Sequence, residues 1–232
     1  MNAIHFNVNL TSDNQLVAFH DWTLDCATNG TEPLNQHSLK ELYSLAAGYG
    51  YTFDDGKTFP FRGKDLRIST LEEFYHQYPN YKFLVNLKSN DVKSFSVLHQ
   101  LLLKIAPTTS NTTIITSSKG VVWFRKASVI NVVSVDSIKS CGIDYLLVGW
   151  AGIVPVSCRS TSLFIPPSMT KYIWGFPKRF AARLQKYGTE IYLWSEHNPV
   201  DPAYTGIVKD GIGVITSNLN FIHKVQANTD QN

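Results

Sequence analysis

The chain alternates short apolar stretches with longer segments whose apolar residues recur every three or four positions. Residues 4–10, IHFNVNL, place an apolar side chain at every second position, the period of a half-buried strand. Short stretches rich in β-branched and aromatic residues predict strands at 3–9, 15–19, 81–87, 112–116, 129–134, 144–148, 161–165, 189–194 and 212–216. Between them, helices are predicted at 38–45, 69–78, 91–105, 119–127, 136–141, 176–187 and 200–209. Ser38 is a fitting N-cap for the first helix, and Ser69 followed by Glu72 has capping-box spacing for the second. Repeated strand–helix alternation predicts parallel strands joined by crossover helices. Periodicity alone leaves a closed (β/α) barrel and an open doubly wound sheet equally available.

Residues 46–67, AAGYGYTFDDGKTFPFRGKDLR, follow neither period. A segment of that length inside a compact domain is usually functional or disordered. Its aromatic residues, Tyr49, Tyr51, Phe53, Phe59 and Phe61, favour an ordered loop. In barrel enzymes such loops build the active site. No linker or internal repeat divides the chain, so one domain over residues 1–225 is expected, followed by a polar tail at 226–232.

Composition changes this picture little. A chain of 232 residues can bury a full core, and a net charge of +3 is too small to point to nucleic acid. The run at 145–156, YLLVGWAGIVPV, is shorter than the roughly 20 residues that cross a bilayer. The first residues show no basic-then-apolar leader, and the expected location is cytoplasmic. Cys26, Cys141 and Cys158 lack zinc-site spacing, and their odd number argues against a disulfide framework.

The chemistry concentrates near the N-terminus. His20 and Asp21 end a predicted strand, where α/β folds place functional groups. A histidine there can move protons near neutral pH, or it can merely cap a loop. The order and spacing of LTSDNQLVAFHDWTLDCATNGT, SLKELYSLAAGYGYTFDDGKTFPFRGKDLRISTLEEFYHQYP and FLVNLKS over residues 4–89 resemble the glycerophosphodiester phosphodiesterase family. Weaker likeness continues through SLFIPPS, RFAARLQKYGTEIYLWSEHNP and GIVKDGIGVITSN. The resemblance implies a TIM-type (β/α)8 barrel shared with phosphatidylinositol-specific phospholipases. It also implies a phosphoric diester hydrolase of glycerophosphodiester and lipid metabolism, dependent on Mg2+ or Ca2+.

The family's parts map unevenly onto this sequence. Members open on a strand bearing a His-Arg-Gly motif, whose His is one of two acid/base histidines. The sequence begins at what matches the second strand, so an incomplete barrel is expected, with self-association through its open edge. The family's Glu-x-Asp metal pair aligns with His5 and Asn7, and its third metal carboxylate with Asn86. The second acid/base histidine matches His20, the phosphate-facing lysine matches Lys88, and the aromatic of a late strand matches Trp194. Exchanging three carboxylates for His and two Asn removes the anionic oxygens that a hard cation needs, so no family-type metal is expected.

The resemblance and its departures together predict a catalytically impaired, pseudoenzyme-like member that binds a glycerophosphodiester or another phosphate-containing small molecule. Arg62 and Lys64, from the long loop, could join Lys88 around the phosphate or remain solvated charges. The alternatives are an active hydrolase using His20 and Lys88 with an altered metal site, and an incomplete barrel completed by another chain. Glu196 and His197 at a strand end could form a new transition-metal site with His5 and His20, while Asp54 and Asp55 read as a solvated turn before Gly56. The glycosylation sequons at Asn9, Asn29 and Asn111 carry no weight without a leader.

Overall fold

The computed structural model describes residues 3–105, 111–129, 131–194 and 202–217. They divide into two compact units, Met1–Val132 and Val133–Asn232. The N-terminal unit contains β1 (Ala3–Leu10), β2 (Leu16–Ala18), α1 (Leu39–Tyr43), α2 (Leu71–Gln77), β3 (Lys82–Leu87), α3 (Val92–Ile105), β4 (Thr112–Thr116) and α4 (Ser118–Lys126). Strand β5 (Val132–Ser134) lies where the chain passes to the second unit. The first sheet has the order β2-β1-β3-β4-β5. Within it β1 pairs parallel with β3 and β3 with β4, while short β2 turns back antiparallel along β1.

Register sorts the side chains of this sheet into two faces. Phe6 lies beside Val85, and Val85 beside Ile114. This apolar face, with Val8, Phe83 and Leu87, packs under Phe95, Leu98, Val121 and Phe124 of α3 and α4. Each such buried side chain contributes about 1.5–3 kcal/mol relative to an exposed one. The opposite face begins with His5 beside Leu84 and Asn7 beside Asn86.

Local chemistry sets the helix starts. Ser38 caps α1 in a capping box with Glu41, as the sequence predicts. The predicted box on Ser69 is displaced by one residue: Thr70 caps α2, and its partner is Glu73. The Ser69 carbonyl accepts a bond from the Ala18 amide at 2.9 Å, so the chain stays extended along β2 until Thr70. Glu72 instead accepts from Lys104 at 2.7 Å, which ties α2 to α3. The long loop is held by its own contacts, as its aromatic content suggests. The Ala47 amide bonds Leu66 O, and Asp54 closes its turn through Thr52 and Thr58.

The second unit contains α5 (Val135–Val148), β6 (Ser162–Ile165), α6 (Lys178–Gln185), β7 (Glu190–Trp194), a 3-10 segment at Pro202–Asp210, and β8 (Ile212–Ile215). Its sheet runs β6-β7-β8, with parallel pairing throughout. Leu163, Ile165, Ile191 and Leu193 pack beneath Tyr145, Phe180 and Leu184. The strand expected at 144–148 is the last turn of α5. A short apolar run does not distinguish strand from helix, and here Cys141 and Tyr145 bury one side of a helix that starts at a Ser134 cap. The cysteine expectation is also corrected. Cys141 on the buried side of α5 and Cys158 behind a 3-10 turn stand with Cα atoms 4.8 Å apart and form a disulfide, while Cys26 is free and exposed.

Thiol titration of the unreduced, denatured chain should therefore report Cys26 alone, and reduction should expose the other two. Cys141→Ser should lower stability by about 2–4 kcal/mol in chemical denaturation of oxidised protein. Acid sensitivity follows from the helix and turn carboxylates. Bonds from Thr11 hold Asp13, bonds from Ser38 hold Glu41, and Lys104 holds Glu72, all below the usual carboxylate range. Groups shifted downward on folding stabilise above their ordinary range and lose that contribution as pH falls through it. The melting temperature should thus stay level near neutrality and drop through the carboxylate range.

Candidate functional site

The polar face of the N-terminal sheet is built at one level of the β1–β3 pair. Asn7 and Asn86 are register partners, and the Asn86 Nδ2 donates to Asn7 Oδ1 at 2.7 Å. Both amides are half-buried, as is His5 two residues earlier on the same face. The next strand contributes Thr113 and Ile115 at the levels of Leu84 and Asn86. No Asp or Glu occurs anywhere in β1, β3, β4 or β5.

Just beyond this level the chain folds back across β1. The Phe19 amide donates to Asn7 O at 2.9 Å. Buried Asn9 donates through Nδ2 to Phe19 O at 3.0 Å and to Asp21 O at 3.2 Å, bracketing His20 from both sides. His20 Nδ1 lies 2.6 Å from Asp21 Oδ1, so the carboxylate orients an exposed imidazole. Lys88 follows Asn86 by two residues, directly after the end of β3, and its amide extends the ladder by donating to Val8 O at 3.1 Å. A period of two puts Asn86 and Lys88 on one face. The sheet thus brings His5, Asn7, Asn86 and Lys88 onto one surface, with the His20 segment bonded along its edge.

Other predicted residues have partners of their own. The Arg62 guanidinium stacks 3.5 Å from the Phe59 ring centroid and 4.3 Å from that of Tyr49, and its Nε donates to Tyr49 O at 2.9 Å. These contacts employ Arg62 as a brace of the long loop. Lys64 is exposed on the same loop. Trp194 ends β7 in the second unit and meets Phe164 edge to face at 6.0 Å, within an aromatic row completed by Tyr192. Burial and neighbouring Glu190 push the Tyr192 phenol well above its usual range. Glu196 and His197 lie outside the described residues.

This combination of parallel strands, crossover helices and a polar strand face recurs in known proteins. The sequence model of the glycerophosphoryl diester phosphodiesterase family matches residues 1–218. The chain belongs to that family. It is 35% identical over 97 residues to a glycerophosphodiester phosphodiesterase of Caldanaerobacter subterraneus, a match covering 42% of this chain and 35% of that protein. The matched region thus spans about a third of that curated relative. The glycerophosphoryl diester phosphodiesterase domain of a Mycobacterium tuberculosis protein superposes with a TM-score of 0.75 at 15% identity, covering 98% of this chain and 88% of that one. An Oleispira antarctica phosphodiesterase in complex with the product sn-glycerol-3-phosphate gives 0.64 at 19%, covering 99% and 85%. These likenesses assign the TIM-barrel fold of the glycerophosphoryl diester phosphodiesterases.

The family generally uses a divalent metal, and His5, Asn7 and Asn86, which the resemblance aligns with its ligands, do not fit a hard cation. A hard cation needs several oxygen donors, most of them anionic. Here Asn7 and Asn86 offer neutral amide oxygens, that of Asn7 already accepting from the Asn86 amide, and His5 supplies nitrogen. Among the described residues no group of three His, Cys, Asp or Glu side chains could hold a metal ion. Sequence reasoning passed over Asn9, treating it only as a sequon. Its place two residues after Asn7 was the available signal, because it repeats the parity of the polar face.

Asn9→Ala removes two buried donors and leaves two carbonyls without them. We expect a loss of about 1–3 kcal/mol in urea denaturation. Hydrogen exchange should quicken at the Phe19 amide, with little change in α3.

Proposed function

We propose that this family member binds a glycerophosphoryl compound, or a related small molecule bearing a phosphate, on the polar face of β1 and β3, and does not carry out the metal-dependent hydrolysis of its family. The observation that carries the reading is the hydrogen bond between Asn86 and Asn7. Two side chains aligned with metal carboxylates are hydrogen-bonded to each other at the level where the cation is expected. Neutral amides also remove the negative potential that such carboxylates create. Lys88 then faces the ligand without opposing acids on β1, β3 or β4. Phosphate oxygens accept from an ammonium and from amide N–H groups, both of which this face supplies. The product complex of the Oleispira relative supports sn-glycerol 3-phosphate as the first ligand to try.

The His20–Asp21 pair favours a second reading, in which some hydrolysis persists by proton transfer. An imidazole held by a carboxylate on Nδ1 can exchange a proton at Nε2. The first reading expects no turnover of bis(p-nitrophenyl) phosphate or glycerophosphocholine with Mg2+, Ca2+, Mn2+ or Zn2+. Turnover abolished by His20→Ala would establish the second. Calorimetry with sn-glycerol 3-phosphate should show binding that Lys88→Ala weakens roughly tenfold, equivalent to 1.4 kcal/mol. Absence of binding in the wild type would overturn the proposed ligand class.

A further inference from the structure

The second unit carries an apolar surface that the phosphodiesterase reading leaves unused. Helix α5 buries Cys141 and Tyr145 on one side, yet its other side shows Ile143 and Leu147 to solvent. Leu147 is 67% exposed and Trp150, on the turn that follows, 68%. The segment after that turn presents Val156 at 78%. A second stretch joins the patch: Trp174, half exposed, donates its indole N–H to Leu146 O at 3.1 Å. Trp150 likewise donates to Leu147 O at 3.0 Å. Both indoles therefore satisfy their polar atom on the end of α5 and leave their ring surface outward. Arg183, donating to Gly149 O at 2.8 Å, locks the same corner. Proteins seldom expose large apolar side chains contiguously without a use for them.

We propose that this surface docks on the interfacial region of a lipid bilayer that contains anionic headgroups. Charge decides the occupant. Residues 135–179 contain Lys139, Arg159, Lys171, Lys178 and Arg179, against only Asp136 and Asp144. Lys139 stands one helical turn before Ile143 on the exposed side, and Lys171 lies 4.9 Å from the ring of Tyr172 beside Trp174. Asp144 accepts from Ser157 Oγ at 2.5 Å, which directs that carboxylate into a local bond. Outward Trp, Tyr and Leu side chains bordered by lysines match the headgroup boundary, where rings and acyl chains meet phosphate. Lysines near such a surface add attraction to anionic lipid. A symmetric contact with a second copy would set the same lysines against themselves. The apolar run at 145–156, too short to cross a membrane, is suited to lie on one.

Cosedimentation with vesicles tests the proposal on the full chain. Vesicles of phosphatidylcholine with phosphatidylglycerol should retain the protein more strongly than phosphatidylcholine alone. Leu147→Glu should cut partitioning about tenfold, with the melting temperature kept because the side chain is exposed. Lys139→Glu with Lys171→Glu should remove the dependence on phosphatidylglycerol. Absence of binding to both vesicles overturns the proposal, as does binding indifferent to Leu147→Glu. Self-association abolished by Leu147→Glu, without vesicle binding, would assign the surface to a second copy instead. None of these readouts depends on the phosphate ligand or on hydrolysis.

Discussion

Parallel pairing of β1 with β3, in the register that sets Asn7 against Asn86, is the constraint on which the N-terminal unit depends. A shift of β1 by one residue would carry Ile4, Phe6 and Val8 out from under α3 and α4. It would drive His5 and Asn7 into the space those helices fill. The cost of such a slip is several buried side chains at about 1.5–3 kcal/mol each. The hydrophobic face therefore fixes where the polar face stands. The chemistry of the polar side chains is free to change while the fold is held from behind.

That separation lets a chain keep the family's barrel fold while the polar side chains on one strand face vary. Asn is close to Asp in shape but carries no charge, and its amide can donate. At Asn7 and Asn86 the two amides form a donor–acceptor pair, worth about 0.5–1.5 kcal/mol, where two carboxylates would repel. Lys88 and the His20–Asp21 pair, braced by buried Asn9, remain around that level. On the reading proposed above, the arrangement is suited to hold an anion, with internal hydrogen bonding in place of metal ligation.

Much of the fold was legible because strand and helix periods leave strong marks. Residues 81–87 and 112–116 read as strands from their β-branched and aromatic content, and Ser38 read as an N-cap. The misreadings share a cause, since tertiary contacts decided them. DYLLV at 144–148 is apolar enough for a strand, and it became helical because Tyr145 and Cys141 bury the same side of α5. Ser69 had the right spacing for a cap, but β2 claimed its carbonyl. The proximity of Cys141 and Cys158 depends on α5 and the turn before β6, which neither count nor spacing contains. At the site, the amide pair was legible only as two substitutions matched by resemblance. That they meet at 2.7 Å is a property of strand register. Arg62 was read by its charge, and its contacts with Phe59 and Tyr49 follow from the fold of the long loop.

The central claim, that paired amides have displaced the cation, is tested most directly by calorimetric titration with Ca2+ and Mg2+. The wild-type chain should give no saturable binding heat, and a variant carrying His5→Glu, Asn7→Asp and Asn86→Glu should gain binding and a metal-dependent rise in melting temperature. Saturable binding of either cation by the wild type, weakened by Asn7→Ala or Asn86→Ala, would contradict the account.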